Sequence, residues 1–173
     1  SKTIISDKVI KSANKLLAIG AFCIGTNQIK FESCNDLGIV IFNAPYSNTR
    51  SVVEIVIAQI INLMRKIVIK SNKMHSGVWR KDSLDSFEIR NKVIGIVGYG
   101  NIGSQLSVIC EALGMKVLYY DILDKLSIGN AKKCKSLNEL LKNSDIVSLH
   151  VDGKKSNTNL ISDKEFSIMK EKS

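Results

Sequence analysis

Gly98-Tyr99-Gly100-Asn101-Ile102-Gly103 and Asp121 are the residues of this 173-residue sequence whose types and spacing can do chemistry. The glycines follow an apolar run, Val93 to Val97, and precede a stretch with helical apolar spacing, so the pattern reads strand, tight turn, helix. In that setting Gly98 permits the sharp turn, and Gly100 lets the backbone approach a pyrophosphate with no Cβ in the way. Gly103 lets the helix pack closely on the strand. The unpaired N–H groups of the first helical turn, aided by the helix dipole, then face the anion. Asp121 ends the next apolar run, 18 residues after Gly103, where a carboxylate can accept hydrogen bonds from the adenosine ribose. The same carboxylate repels a 2′-phosphate, and Ile122 and Leu123 supply no Arg to hold one, so the cofactor is NAD in preference to NADP. The competing readings are a mononucleotide or S-adenosylmethionine site, and a tight turn with no ligand at all.

The elements that must position these residues alternate between strand and helix. Lys15–Phe22 and Gly38–Pro45 are short apolar runs that predict buried parallel strands, with a helix over 28–38 that stops at Gly38. Thr49–Lys70 carries apolar side chains almost all round a helical cylinder, which predicts one long helix buried against several elements or set at a domain or subunit junction. A polar arm over 71–91 holds the single Trp, Trp79. Then come strand 92–98, a helix from Ile102 to Gly114, strand 116–121, a helix over 136–144 opened by a Ser136/Glu139 capping box, and strand 145–151. Such alternation predicts an α/β fold, a Rossmann-type doubly wound parallel sheet.

Composition narrows the class further. Hydrophobic residues make up 45%, enough for a sizeable core, and the single Pro with no low-complexity stretch predicts order throughout. Net charge is +9, from 25 Lys+Arg against 16 Asp+Glu, so nucleic acid is the first partner to weigh. The lysines are scattered, and no helix-turn-helix, zinc-finger or RRM pattern accompanies them, so they read as solvated charge. Cys23, Cys34, Cys110 and Cys134 are far apart with no CxxC pair and no neighbouring His, which predicts reduced, mostly buried thiols and neither metal nor disulfides. No apolar run is long enough to cross a bilayer, and "SKTIISDKVIKSANK" lacks the apolar core of a secretory signal, so a cytoplasmic location is expected.

At "AIGAFCIGTNQI", "FNAPYSNTRSVVEIVI", "GVW", "IGIVGYGNIGSQLSVICEALGMKVLYYDI", "GNA" and "SDIVSLHV" the chain closely resembles the D-2-hydroxyacid dehydrogenase family. Within it, the similarity is to the bacterial-type members that act on 3-phosphoglycerate. The resemblance implies NAD-dependent oxidation of 3-phosphoglycerate to 3-phosphohydroxypyruvate, the first step of serine synthesis. The family inserts its cofactor domain into its substrate domain. On that pattern, residues 1–45 correspond to the C-terminal part of the first segment of a flavodoxin-like substrate domain, and 46–173 to an incomplete NAD-binding Rossmann domain.

The resemblance also carries residue roles. Gly98, Gly100, Asn101, Ile102 and Gly103 would meet the pyrophosphate, and Asp121 with its neighbours Tyr120 and Ile122 the adenosine. His150 and Val151 would line the nicotinamide side, with a structural histidine as the alternative for His150. Ser1 and Lys2, with Thr3, match the loop that holds the substrate's phosphate and carboxylate, although the Arg that precedes this Ser in relatives is absent. Asn48 would lie near the substrate, or else cap the helix that starts at Thr49. Arg50 reads as an interdomain or subunit ion-pair partner. The apolar helix and the Trp79 arm correspond to the family's dimer contact, implying a homodimer or higher homo-oligomer, with ordinary core as the alternative for Trp79. Family chemistry needs an Arg, a carboxylate and an acid/base His, all expected downstream of Ser173. Neither His75 nor His150 matches that His, so no catalytic residue is assigned, and the chain is expected to be an inactive fragment. Asp152 stands where relatives usually have Pro. The alternatives in function are a noncatalytic NAD-binding module, as in the family's corepressor branch, and another D-2-hydroxyacid dehydrogenase.

Overall fold

Ile94, Ile96 and Val97 are almost wholly buried, as a strand enclosed on both faces requires. They belong to β3 (Val93–Val97), the central strand of a four-stranded parallel sheet in this computed structural model, which describes residues 3–171 and 173. Numbered along the chain, the elements before β3 are α1 (Asp7–Ser12), β1 (Ala18–Ala21), α2 (Phe31–Asp36), β2 (Val40–Asn43), α3 (Thr49–Arg65) and α4 (Ile67–His75). After it come α5 (Asn101–Ala112), β4 (Lys116–Tyr120), β5 (Lys132–Lys133), α6 (Leu137–Asn143), β6 (Ile146–Leu149) and α7 (Asp163–Ile168). The chain divides into two compact units. One comprises Ser1–Asn48 with Asp152–Lys154, and the other Thr49–Val151 with Lys155–Ser173.

In the larger unit the strand order is β5-β4-β3-β6, all parallel, with Val93 opposite Lys116 and Ile94 opposite Ile146. Alternation along the strands feeds two cores. Ile94, Ile96, Val117 and Tyr119 pack with Leu106 and Cys110 of α5 and Val53 and Ile60 of α3, while Val97 packs with Cys134 and with Leu140 and Leu141 of α6. The doubly wound parallel sheet is therefore as the sequence predicts. The start of the sheet is tied by Asp145, whose carboxylate accepts the Val93 N–H at 2.8 Å and the Lys170 ammonium at 2.8 Å. Burial pushes the Asp145 carboxyl upward, but these two donors and the nearby lysine charges outweigh it, leaving it below the ordinary range.

The long helix departs from the expectation of one continuous element. It breaks at Lys66, which adopts a left-handed φ of 54°, and resumes as α4 after the side-chain oxygen of Asn62 accepts the Val68 N–H at 3.0 Å. The first residues of the expected polar arm are thus helical. Of α3, only Thr49, Val53 and Ile60 are buried, and α4 buries none, so Ile55, Leu63, Ile67, Val68 and Ile69 face outward within this chain. Its apolar side chains outnumber what α5 alone can cover. Beyond the expected elements, α1, the two-residue β5 and α7 are present, the last opened by a Ser162/Glu165 capping box.

In the smaller unit β1 and β2 pair in parallel, Ala18 opposite Val40, joined through α2. Ile19 and Ile41 face a core with Ile10, Ile29 and Cys34, but Val40, Phe42 and Phe22 are exposed. The two strands are therefore half-buried instead of enclosed, because α1 and α2 serve one face of a two-stranded sheet.

Candidate functional site

The turn between β3 and α5 owes its shape to what glycines leave out. Gly98 has φ +92°, and a Cβ there would sit 2.5 Å from the His150 carbonyl oxygen and 2.8 Å from its carbon. A Cβ on Gly103 would collide with the Gly98 carbonyl oxygen and lie 3.0 Å from Ile96 Cγ2. Gly100 differs: a Cβ there meets nothing within 4 Å, so its exclusion keeps open the space in front of the helix. Gly100 is the N-cap of α5 and supplies no side chain, so the N–H groups of Asn101, Ile102 and Gly103 are left to an outside acceptor. An anion fits that cradle on the geometry of this chain alone.

Asp121 follows β4 directly, beside the turn. One of its carboxylate oxygens accepts the Tyr99 N–H at 2.7 Å and the other the Leu123 N–H at 2.8 Å. A carboxylate offers about four lone-pair positions, so two hydrogen bonds leave acceptor capacity for ribose hydroxyls. Tyr120, Asp121 and Ile122 line an open recess of about 460 Å³ together with Lys133, Cys134 and Lys135. The latter three escape the sequence reading, since nothing in "AKKCK" signals that a short strand returns to Asp121. Lys133 is itself engaged, its ammonium 2.5 Å from the Asp124 carboxylate, and that contact holds the Asp124 carboxyl below its ordinary range.

His150 and Val151 lie at the carboxyl end of β6, against the turn. The His150 N–H donates to the Val97 carbonyl at 2.7 Å, its Nε2 is 2.9 Å from Ser148 Oγ, and Val151 Cγ1 lies 3.2 Å from where a Gly98 Cβ would be. Burial lowers the His150 pKa below its usual 6.5, so the imidazole is neutral at pH 7. The structure thus gathers Gly98, Gly100, Asn101, Ile102, Gly103, Tyr120, Asp121, Ile122, His150 and Val151 around one end of one sheet.

The remaining candidates come from other parts of the sequence. Ser1 and Lys2 lie outside the described residues. Asn48 is exposed. Arg50 pairs with Glu54 of its own helix at 3.0 Å. Trp79 is 73% exposed, which excludes the ordinary-core reading within this chain. His75 ends α4, its Nδ1 2.9 Å from the Ser71 carbonyl oxygen. Cys34, Cys110 and Cys134 are buried, with burial raising the Cys110 thiol to about 12 and, helped by Glu139, the Cys134 thiol to about 11, while Cys23 is partly exposed. Among the described residues no cluster of His, Cys, Asp or Glu could hold a metal, and no helix is long and apolar enough to cross a membrane.

Residues 57–173 match the family described as D-isomer specific 2-hydroxyacid dehydrogenase, NAD binding domain. The chain is 49% identical over 170 residues to D-3-phosphoglycerate dehydrogenase of Dictyostelium discoideum and, equally, to that of Escherichia coli K12, covering 98% of this chain and 42% of each relative. It therefore spans about two fifths of the length of these curated relatives. In structure it resembles a D-isomer specific 2-hydroxyacid dehydrogenase from Lactobacillus delbrueckii in its NAD-complexed form, with TM-score 0.83, 28% identity, and coverage of 100% of this chain and 54% of that one. A D-lactate dehydrogenase from Aquifex aeolicus complexed with NAD and lactic acid matches with TM-score 0.85 and 27% identity, over 95% of this chain and 50% of that one.

Proposed function

The chain belongs to the D-isomer specific 2-hydroxyacid dehydrogenase family and carries its NAD binding domain, and we propose that the protein it forms part of oxidises 3-phosphoglycerate to 3-phosphohydroxypyruvate. The observation that carries the cofactor half of this reading is the glycine turn with Asp121 held beside it by the Tyr99 N–H. The substrate half rests on the relatives near 49% identity, which are named D-3-phosphoglycerate dehydrogenase. Bound NAD supplies the acceptor for the hydride that leaves carbon 2 of the substrate.

Every other part of the mechanism here belongs to binding and orientation. The first-turn N–H groups of α5, at Asn101, Ile102 and Gly103, hold the pyrophosphate, with Gly98 making the turn and Gly100 giving the anion room. Asp121 accepts from the ribose hydroxyls, with Tyr120 and Ile122 beside the adenosine. His150 and Val151 wall the nicotinamide side, and because His150 is neutral it does so without placing a cation next to the positively charged ring. Neither His75 nor His150 is assigned as the proton acceptor. Residues 1–45 supply part of the substrate domain, and Ser1, Lys2 and Asn48 are assigned to substrate binding. The outward apolar face of α3 and α4, with Trp79, joins two copies in a homodimer, and the enzyme works in the cytoplasm.

The test is calorimetric titration of the chain with NAD beside Gly100→Val and Asp121→Asn, paired with a 3-phosphoglycerate turnover assay. Saturable NAD binding weakened in both variants, without turnover, supports the reading. Absent NAD binding in folded chain refutes the cofactor assignment, and turnover by the chain alone refutes the absence of a base. Asn is used at 121 because it keeps one oxygen for the backbone donors.

A further inference from the structure

Tyr99 and Tyr119 are buried side by side next to the proposed cofactor site. Their rings stack with centroids 3.8 Å apart and planes inclined by 20°. The directions of their hydrogen bonds follow by elimination. The Ser107 hydroxyl donates to the Ser104 carbonyl at 2.7 Å, so the Tyr99 O–H donates to Ser107 Oγ at 2.8 Å and its oxygen accepts the Ile128 N–H at 3.3 Å. The Tyr119 O–H donates to the Lys125 carbonyl at 2.7 Å, which leaves its oxygen to accept from the Ser127 hydroxyl at 3.0 Å.

Three of these partners, Lys125, Ser127 and Ile128, belong to the loop between β4 and β5 that begins at Ile122. The loop has no helix or strand of its own, and its Ile122 and Leu126 are almost fully exposed, so little apolar burial holds it. It is held at its start by Asp121, which accepts the Leu123 N–H, in its middle by the two phenols, by Lys133 on Asp124, and near its end by Glu111, which accepts the Asn130 N–H at 2.6 Å. Tyr99 joins the first two of these anchors, because its own N–H fixes the other Asp121 oxygen. Packing alone would be satisfied by two phenylalanines. Two hydroxyls aimed from one stack at one loop do something more.

We propose that Tyr99 and Tyr119 are positioning residues for the adenosine half of the cofactor, acting through Asp121 and the loop over 122–128. The inference rests on the NAD reading above and deepens it. The stack sets the loop's distance from the glycine turn, and the hydroxyls fix its backbone so that Ile122 and the Asp121 carboxylate stand ready before ligand arrives. Preorganisation of this kind appears in affinity, because a loop not fixed beforehand must be ordered during binding.

The test compares Tyr99→Phe, Tyr119→Phe and the double variant, all of which keep the stack, by titration with ADP-ribose and with nicotinamide mononucleotide. Loss of one such hydrogen bond is expected to raise the Kd for ADP-ribose roughly three- to tenfold and further in the double variant, with nicotinamide mononucleotide unchanged. Ser127→Ala, at an exposed loop position, gives a second probe independent of the buried rings and is expected to weaken ADP-ribose alone. Unchanged ADP-ribose affinity in these variants, or equal loss for both ligands, overturns the positioning role while leaving the NAD reading intact. Wild-type chain that binds neither NAD nor ADP-ribose overturns the NAD reading itself.

Discussion

Substituting each of the three turn glycines by Ala separates folding from binding, because the three lack a Cβ for different reasons. At Gly98 the new residue must hold φ +92° and place its Cβ 2.5 Å from the His150 carbonyl oxygen. Strain of about 1–3 kcal/mol and overpacking of about 1–3 kcal/mol sum to roughly 2–6 kcal/mol. At Gly103 the obstacle is the Gly98 carbonyl, a backbone atom that cannot swing aside, so about 1–3 kcal/mol of overpacking opposes a helix-propensity gain of at most about 1 kcal/mol. The net is a destabilisation of roughly 0–3 kcal/mol, or a fall of up to roughly 12 °C in Tm. Gly100→Ala meets nothing within 4 Å and has an ordinary φ of −84°, so its stability should stay within about 1 kcal/mol of wild type or rise slightly. Its Cβ instead occupies space in front of the helix N-terminus, so NAD affinity should fall. Thermal unfolding by circular dichroism and NAD titration on the same samples give the ordering: Gly98→Ala least stable, Gly103→Ala intermediate, Gly100→Ala near wild type but weak in binding. A Gly100→Ala protein as unstable as Gly98→Ala, or a Gly103→Ala protein more stable than wild type, would refute this reading of the turn.

The imidazole of His150 makes stability depend on pH. Burial lowers its folded pKa below the unfolded 6.5, so the unfolded chain binds more protons in between and stability falls as pH drops from 6.5 through the folded value. Tm measured across pH 8 to 5 at fixed salt should therefore decline more steeply for wild type than for His150→Gln, and identical slopes would remove His150 as the cause. The thiols offer a separate test: at pH 8, where Cys110 and Cys134 stay protonated and Cys34 is enclosed, a disulfide reagent should modify Cys23 quickly and the other three only on unfolding. Mass mapping of the first modified peptide checks it.

Where local chemistry dictates the backbone, the sequence was readable. Gly98 and Gly103 announce the turn because a Cβ would meet backbone at each, Gly100 does so by the open space it leaves in front of the helix, and Ser136 announces α6 by a hydroxyl that does accept the Glu139 N–H at 3.1 Å. The Ser162/Glu165 box carries the same signal for α7 and was open to the same reasoning. Lys66 carries none: a lysine at φ 54° is imposed by what surrounds it, and the break between α3 and α4 cannot be read from "NLMRKIVIK". The partner of α3 is not legible in the sequence, because an all-round apolar helix fixes how much surface needs covering, not which element or copy covers it. Asp121 was legible as an acceptor, but its two backbone donors and the tyrosines behind it depend on a loop whose path only tertiary structure sets.

The strand order β5-β4-β3-β6 also fixes a sequence of events during synthesis. β3 is made first, and β4 can zip onto one edge of it within a few tens of residues. Its other edge must wait for Ile146–Leu149, and the Val93 N–H waits for the Asp145 carboxylate. At roughly 5–20 residues per second, the interval between completion of Tyr120 and arrival of β6 lasts roughly 1–5 s. During it the nascent chain holds Ile94, Ile96 and Val97 in a strand with one edge bare, the state in which an apolar segment pairs with a neighbour's. The central strand that orients the glycine turn is thus also the segment most dependent on timely translation.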